Sequence, residues 1–152
     1  HDPKMAELAI QIARGRGDSL NQINSLAWAI VRFPSPSADA LARATDDAEL
    51  CCRLKPENWA YANTLGIAYF RAERYRDAID MLTRSEDLAR EVGRSSEPLN
   101  TLFIALSHQR LGQFADARSW WEASLALIPD PSKTTDVELR SAFDEAAAVF
   151  KH

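Results

Sequence analysis

Three arginines recur at a constant interval of 39 residues, at Arg32, Arg71 and Arg110. Two asparagines, Asn24 and Asn63, recur at the same interval, each eight residues before an arginine. A guanidinium group offers donors in a planar fork that fits a carboxylate, and an asparagine amide can bond a peptide backbone. The pattern predicts residues that bind a peptide carrying Asp or Glu. An alternative stays open, in which arginines near helix C-termini interact with the helix dipole and remain solvated.

The sequence lacks the motifs and spacings that are typical of catalytic and metal sites. The histidines are His1, His108 and His152, and His108 occupies a repeat position filled elsewhere by Tyr69 and Ile30, which predicts a packed or capping side chain. No Cys/His cluster has the spacing of a metal site. No glycine-rich turn precedes a helix to bind phosphate, and no serine stands in a nucleophile elbow. The sequence therefore predicts a protein that is not an enzyme and that uses no cofactor or metal.

Small residues define the elements that would position the arginines. Ala27, Gly66 and Ala105 share the interval of 39, and a branched aliphatic residue precedes each one. Two helices approach closely only where their facing side chains are short, and large neighbours then fill the space beside them. The spacing predicts a series of stacked helical hairpins.

Loop residues set the expected helix bounds. The segment 33–37 contains two prolines that forbid a continuous helix, Gly93 suits a left-handed helix cap, and Ser95 or Ser96 can cap the helix that follows. Residues 135–138 read as a capping box that opens a last helix, on which Val137, Phe143, Ala147 and Phe150 would lie roughly on one face. The expected helices cover about 3–15, 19–32, 37–54, 57–72, 75–92, 97–111, 114–128 and 135–151.

Composition is that of an ordinary all-helical chain. The 152 residues are 46% apolar and 26% charged, and they lack the alternating β-branched runs of strands. No apolar run reaches the ~18 residues of a membrane span. A net charge of −4 argues against binding to nucleic acid, which requires a basic surface. Cys51 and Cys52 are adjacent on one helix and point about 100° apart, so we expect no bridge and a reducing, cytoplasmic location. Because the sequence does not start with methionine, we expect either a fragment of a longer protein or a trimmed chain.

The second and third copies of the pattern resemble a tetratricopeptide repeat. The alternation of large and small residues runs from Trp59 to Tyr69 and on to Tyr75 and Ala78, and the third copy keeps Ile104, Ala105, Phe114, Ala117 and Pro129. The resemblance implies one domain, 1–152, built as a right-handed all-α solenoid. Its parts would be an N-terminal helix at 3–15, a degenerate repeat at 19–54, repeats at 57–92 and 97–129, and a capping helix at 135–151. The style of segment 24–28 also resembles repeat segments of large bacterial multidomain proteins, some of which carry serine/threonine kinase domains.

The resemblance also implies where a ligand would bind. In tetratricopeptide domains the first helices of the hairpins line a concave face, and the residues that fall there are Asn24, Trp28, Arg32, Asn63, Ile67, Phe70, Arg71, Leu102, Leu106, Gln109 and Arg110. We expect a protein-interaction module that binds an extended or helical acidic segment of a protein or peptide partner in this groove. The alternative is a structural, self-associating or regulatory domain of a larger, kinase-linked protein, with no peptide ligand of its own. Whether the chain forms a homo-oligomer stays open.

Overall fold

The computed structural model describes residues 3–5 and 19–151, and all regular structure in these ranges is helical. The predicted N-terminal helix at 3–15 falls mostly outside the described residues. The remaining helix bounds lie within two residues of those expected, so the all-α prediction is confirmed. The helices are α1 (Ser19–Val31), α2 (Ala38–Leu54), α3 (Trp59–Arg71), α4 (Tyr75–Glu91), α5 (Pro98–Arg110), α6 (Phe114–Leu127) and α7 (Val137–Phe150), with a 3-10 turn at Pro131–Lys133 before the last.

Helices α1–α2, α3–α4 and α5–α6 form three hairpins that stack in chain order. The small residues lie where the two helices of a hairpin meet: Ala27 and Ala105 are fully buried, and a Cβ added to Gly66 would lie 2.6 Å from Cγ of Leu82 on the opposite helix. The small-residue spacing therefore does set the helix contact, as predicted. Leu26 is exposed, whereas its repeat equivalents Leu65 and Ile104 are buried. The reason is that no earlier helix among the described residues covers Leu26.

The turn between the helices of a hairpin keeps its backbone shape from the second hairpin to the third. Gly112 has a φ of +75°, and Glu73, 39 residues earlier, has a φ of +61°. Gly93, which ends α4, has a φ of +77° and takes the left-handed conformation expected of it. The left-handed region is costly for a side chain with a Cβ, so the geometry at Glu73 is imposed by the hairpin and not by the residue.

The N-terminus of α5 is capped from a neighbouring helix and not by Ser95 or Ser96. Glu97 occupies the cap position, but its side chain makes no bond to the backbone of the helix. Instead, the buried Glu86 of α4 accepts from the Glu97 backbone N–H at 3.0 Å and from Nδ2 of Asn100 at 2.8 Å. A carboxylate at a helix N-terminus satisfies free amides and interacts favourably with the helix dipole. This contact also joins the second hairpin to the third.

Cys51 fills the position that serine fills in the other two hairpins. Its thiol is fully buried and donates to the carbonyl oxygen of Leu20 at 3.5 Å. The hydroxyl of Ser85 donates in the same way to the carbonyl oxygen of Trp59 at 2.8 Å, and Trp59 follows Leu20 by the repeat interval. Cys51 is thus part of the packing between the two helices of its hairpin, and both cysteines are free thiols.

Both thiols should react slowly in the native state. Burial raises the pKa of Cys51 to about 11 and that of Cys52 to about 12. Because the thiolate is the reactive form, labelling by a maleimide at pH 8 should be about a hundredfold slower than that of a free cysteine, and should still accelerate up to pH 10. Mass spectrometry of timed samples measures this, with the denatured chain as the fast reference. Labelling of both residues at the reference rate would show that this region is open.

Candidate functional site

Helix α7 lies against the first helices of the hairpins, which together form a surface here called the first-helix face. It packs chiefly on α5 and touches α6 only slightly. Phe143 and Phe150 approach the ring of Trp121 on α6, with centroids 5.4 Å and 5.3 Å away. The apolar residues of α7 that pack on the core are Leu139, Ala142, Phe143, Ala146, Ala147, Val149 and Phe150. Trp121 is buried, at the position that Leu82 fills one repeat interval earlier, and Trp120 is half-buried.

The placement of α7 differs from that of a helix continuing the stack. A further hairpin would pack on α6, as each later hairpin packs on the second helix of the one before it, but Phe114 and Leu125, which share a side of α6, and also Leu127 remain exposed. Val137, expected on the buried side of α7, is also exposed. The helix begins one residue later than the capping box suggested, because Asp136 and not Thr135 accepts from the Leu139 N–H, at 2.9 Å. The first turn of α7 includes Glu138, whose side chain contacts an earlier part of the chain.

Arg71, at the end of α3, holds a carboxylate of α7. Its Nη1 lies 2.7 Å and 2.9 Å from the two oxygens of Glu145, and its Nε donates to the carbonyl oxygen of Val31 at 3.0 Å. The guanidinium carbon lies 5.1 Å from the ring centroid of Phe103 and 5.5 Å from that of Phe70. The Arg71 side chain is only 5% exposed. Charge-assisted bonds and ring contacts of this kind are strong when water is excluded.

Arg32, just after α1, makes the corresponding contact at the start of α7. Its Nη1 donates to Oε1 of Glu138 at 2.8 Å. A bond to the backbone amide of Glu138, supported by the bond from Arg32, holds the pKa of this carboxyl group below its usual range. Arg110, at the end of α5, is exposed and has no ion pair within the described residues. Two of the three predicted arginines thus bind acidic side chains of the chain's own last helix.

The spacing of the two carboxylates matches the spacing of the helices that hold them. Glu138 and Glu145 are seven residues apart, which places them on one edge of α7 about 10.5 Å apart. Packed helices have axes about 8–10 Å apart. A helix that crosses the first helices therefore meets one arginine every two turns.

The other predicted site residues have structural contacts in this arrangement. Asn63 donates to Oδ1 of Asn100, whose amide in turn bonds Ser85 and Glu86, so this asparagine joins two hairpins. Trp28 is half-buried at the edge of the main core, and Gln109 is half-buried on α5. The four apolar members are buried in the core that α7 helps to close: Ile67, Phe70, Leu102 and Leu106.

Three buried polar atoms of the described residues have no hydrogen-bond partner within the chain: Oδ1 of Asn24, Nε of Arg32 and Nη2 of Arg71. All three belong to predicted site residues. Leaving such a group unpaired costs about 1–3 kcal/mol. Helix α7 therefore satisfies the hydrogen-bonding capacity of this site only in part.

The sequence interpretation did not identify the two acidic residues that the arginines bind. Glu138 was assigned to a capping box, and Glu145 was not singled out. A usable signal exists, since the two glutamates stand seven residues apart beside an apolar stripe on a predicted helix. Their partners lie 106 and 74 residues away in the chain, however, and no local pattern specifies such a pairing.

Comparison with solved structures supports the fold. The chain is similar to the N-terminal domain of stress-induced protein-1 (STI-1) from C. elegans, with a TM-score of 0.56 and 16% sequence identity over 85% of this chain and 94% of that one. No family model matches the sequence, and no curated protein does. The likeness and the all-helical stack show a solenoid like that of tetratricopeptide domains. Within residues 3–5 and 19–151, no helix is long and apolar enough to cross a membrane, and no three metal-ligating side chains converge.

Proposed function

We propose that the chain is a protein-interaction module that binds an acidic segment of a partner protein through the arginines of its first-helix face. The observation that carries the proposal is the pairing of Arg71 with both oxygens of Glu145 at a site from which water is almost excluded. It demonstrates in this chain the recognition chemistry that the proposal requires of a partner. The likeness to the STI-1 domain supports the solenoid on which such a surface is built.

The proposed ligand is helical and not extended. Helix α7 presents its acidic edge to Arg32 and Arg71 while its apolar stripe meets the core, and both contacts depend on helical spacing. Affinity for a free peptide should be modest, because the peptide must be ordered on binding. Ion pairs near the rim make binding sensitive to salt.

Peptide titration tests the proposed function. A fluorescent helical peptide with glutamates along one edge should bind the wild-type chain, whereas the same peptide with lysines there should not. Affinity should fall severalfold when salt rises from about 0.05 to 0.5 M. We call Arg32, Arg71 and Arg110 the arginine row. The Arg110→Glu variant should bind about fivefold more weakly or worse, because Arg110 is the exposed member of this row. Arg118→Glu, at an exposed position on α6, is the control and should bind as the wild type does.

A second candidate function is supported by the position of α7 itself. Because α7 packs its own Phe143 and the neighbouring apolar residues against α5 and α6, the chain can serve as a closed structural or self-associating unit of a larger protein. In that case the glutamate and lysine peptides would bind equally or not at all, and Arg110→Glu would change nothing. That result would replace the proposed function with the structural one.

A further inference from the structure

We propose that α7 is an internal substitute for the ligand, and that a partner helix with acidic residues at positions i, i+7 and i+14 replaces it on the first-helix face. This inference rests on the proposed function and specifies its partner. It also states that the present structure is the ligand-free, self-occupied state of the site.

The first argument is the number of carboxylates that the site can hold. The row has three arginines at one interval, but α7 supplies two acidic side chains, and Arg110 is left exposed and unpaired among the described residues. Positions i and i+14 on a helix are about 21 Å apart, which is close to the span of three adjacent helices. A helix with a third acidic residue would therefore engage all three arginines at once.

The second argument is that some hydrogen-bond donors of the site have no acceptor. Arg71 and Arg32 each keep one buried nitrogen without an acceptor, although both pair with α7. A ligand helix with a further acceptor on this edge gains bonds that α7 does not make. Charge complementarity thus favours an acidic partner helix over the resident one.

The third argument is the connection that would let α7 leave. Residues 128–136 join α6 to α7 through two prolines and a single 3-10 turn, and among the described residues α7 touches α6 only slightly. The apolar contacts of α7 are five small or medium side chains and two phenylalanines on Trp121, a stripe that an incoming amphipathic helix can reproduce. The contacts that join the hairpins α1–α6 to one another are made between their own helices.

The spacing requirement is tested with two peptides of the same composition. One carries glutamates at i, i+7 and i+14, and the other at i, i+5 and i+10, which distributes them around the helix. The full chain should bind the first at least tenfold more tightly. Equal affinities would overturn the proposed spacing while leaving the proposed function in place.

Replacement of α7 is tested by hydrogen exchange on the same samples. When the i, i+7, i+14 peptide saturates the chain, the amides of α7 should lose protection and those of α3 and α5 should keep it. Retained protection of α7 with bound peptide would overturn replacement but not peptide binding. Light scattering should report one chain per complex, and a dimer that forms without peptide would show that α7 of a second copy is the true occupant.

Paired variants provide an independent test. Glu138→Gln with Glu145→Gln weakens the internal competitor, so the peptide should bind about tenfold more tightly. Glu122→Gln with Asp144→Asn removes the same charge from exposed positions and should leave the affinity unchanged. Unchanged affinity in the first variant would overturn the competition, and absence of binding to every form would reject both this inference and the proposed function.

Discussion

Replacement of Arg71 with alanine should lower the free energy of unfolding by about 2–3 kcal/mol. The substitution removes the partner of Glu145 and the donor to the carbonyl oxygen of Val31, and it leaves both acceptors largely away from water. It also removes the cation from the faces of Phe70 and Phe103. Because Glu145 keeps 21% exposure, water compensates part of the loss, which places the effect at the lower end for buried pairs. Urea denaturation followed by circular dichroism measures the change.

Arg110→Ala is the matched control for this prediction. Arg110 has the same position in its hairpin but is exposed and unpaired among the described residues, so its removal should change the free energy of unfolding by less than about 0.5 kcal/mol. Equal effects of the two substitutions would mean that Arg71 is a solvated helix end, as in the alternative interpretation of the arginine row.

Replacement of Gly66 with leucine should lower the free energy of unfolding by about 3 kcal/mol or more. An added Cβ alone would lie 2.6 Å from Cγ and Cδ2 of Leu82 and 3.2 Å from its backbone nitrogen, so the leucine side chain has no space between α3 and α4. Overpacking of a filled core costs about 1–3 kcal/mol and occasionally more. Thermal and urea unfolding of the variant measure the effect.

Alanine at the same position separates packing from helix propensity. Propensity alone predicts that Gly66→Ala stabilises α3 by about 1 kcal/mol, whereas the contact with Leu82 predicts net destabilisation. In a Leu82→Ala background the two side-chain contacts are gone and only the 3.2 Å approach to the backbone nitrogen of residue 82 remains, so Gly66→Ala should then be clearly less destabilising than in the wild-type background. A stabilising effect in the wild-type background would contradict the close approach of the two helices.

The sequence was sufficient for the hairpins because their determinants are local and repeated. Ala27, Gly66 and Ala105 fix one contact per hairpin, and prolines and glycines mark the loops. The helix bounds follow from these residues within two positions. The cap of α5 was not predictable in the same way, since Glu86 reaches it from another helix and the local serines are equally plausible caps.

For the arginine row, the sequence predicts the type of group that is bound but not the residues that carry it. The sequence indicates that three guanidinium groups lie in register and that carboxylates suit them. It does not indicate which carboxylates pair with them. The position of α7 depends on contacts of its apolar residues with Trp121 and the core, which are distant from α7 in the sequence. Ile67, Phe70, Leu102 and Leu106 are buried in the same core cluster as Ala142, Phe143 and Ala146 of α7.

Double-mutant cycles test most directly whether the arginine row binds carboxylates seven residues apart on a helix. The matched pairs are Arg32 with Glu138 and Arg71 with Glu145, and the mismatched pairs exchange the glutamates. From unfolding free energies of the alanine variants, we expect a coupling of about 0.5 kcal/mol or more for the half-exposed first pair and about 1.5 kcal/mol or more for the buried second pair. The mismatched pairs should couple by less than about 0.3 kcal/mol. Couplings of similar size in all four pairs, or none in the matched ones, would contradict pairwise recognition of the α7 glutamates.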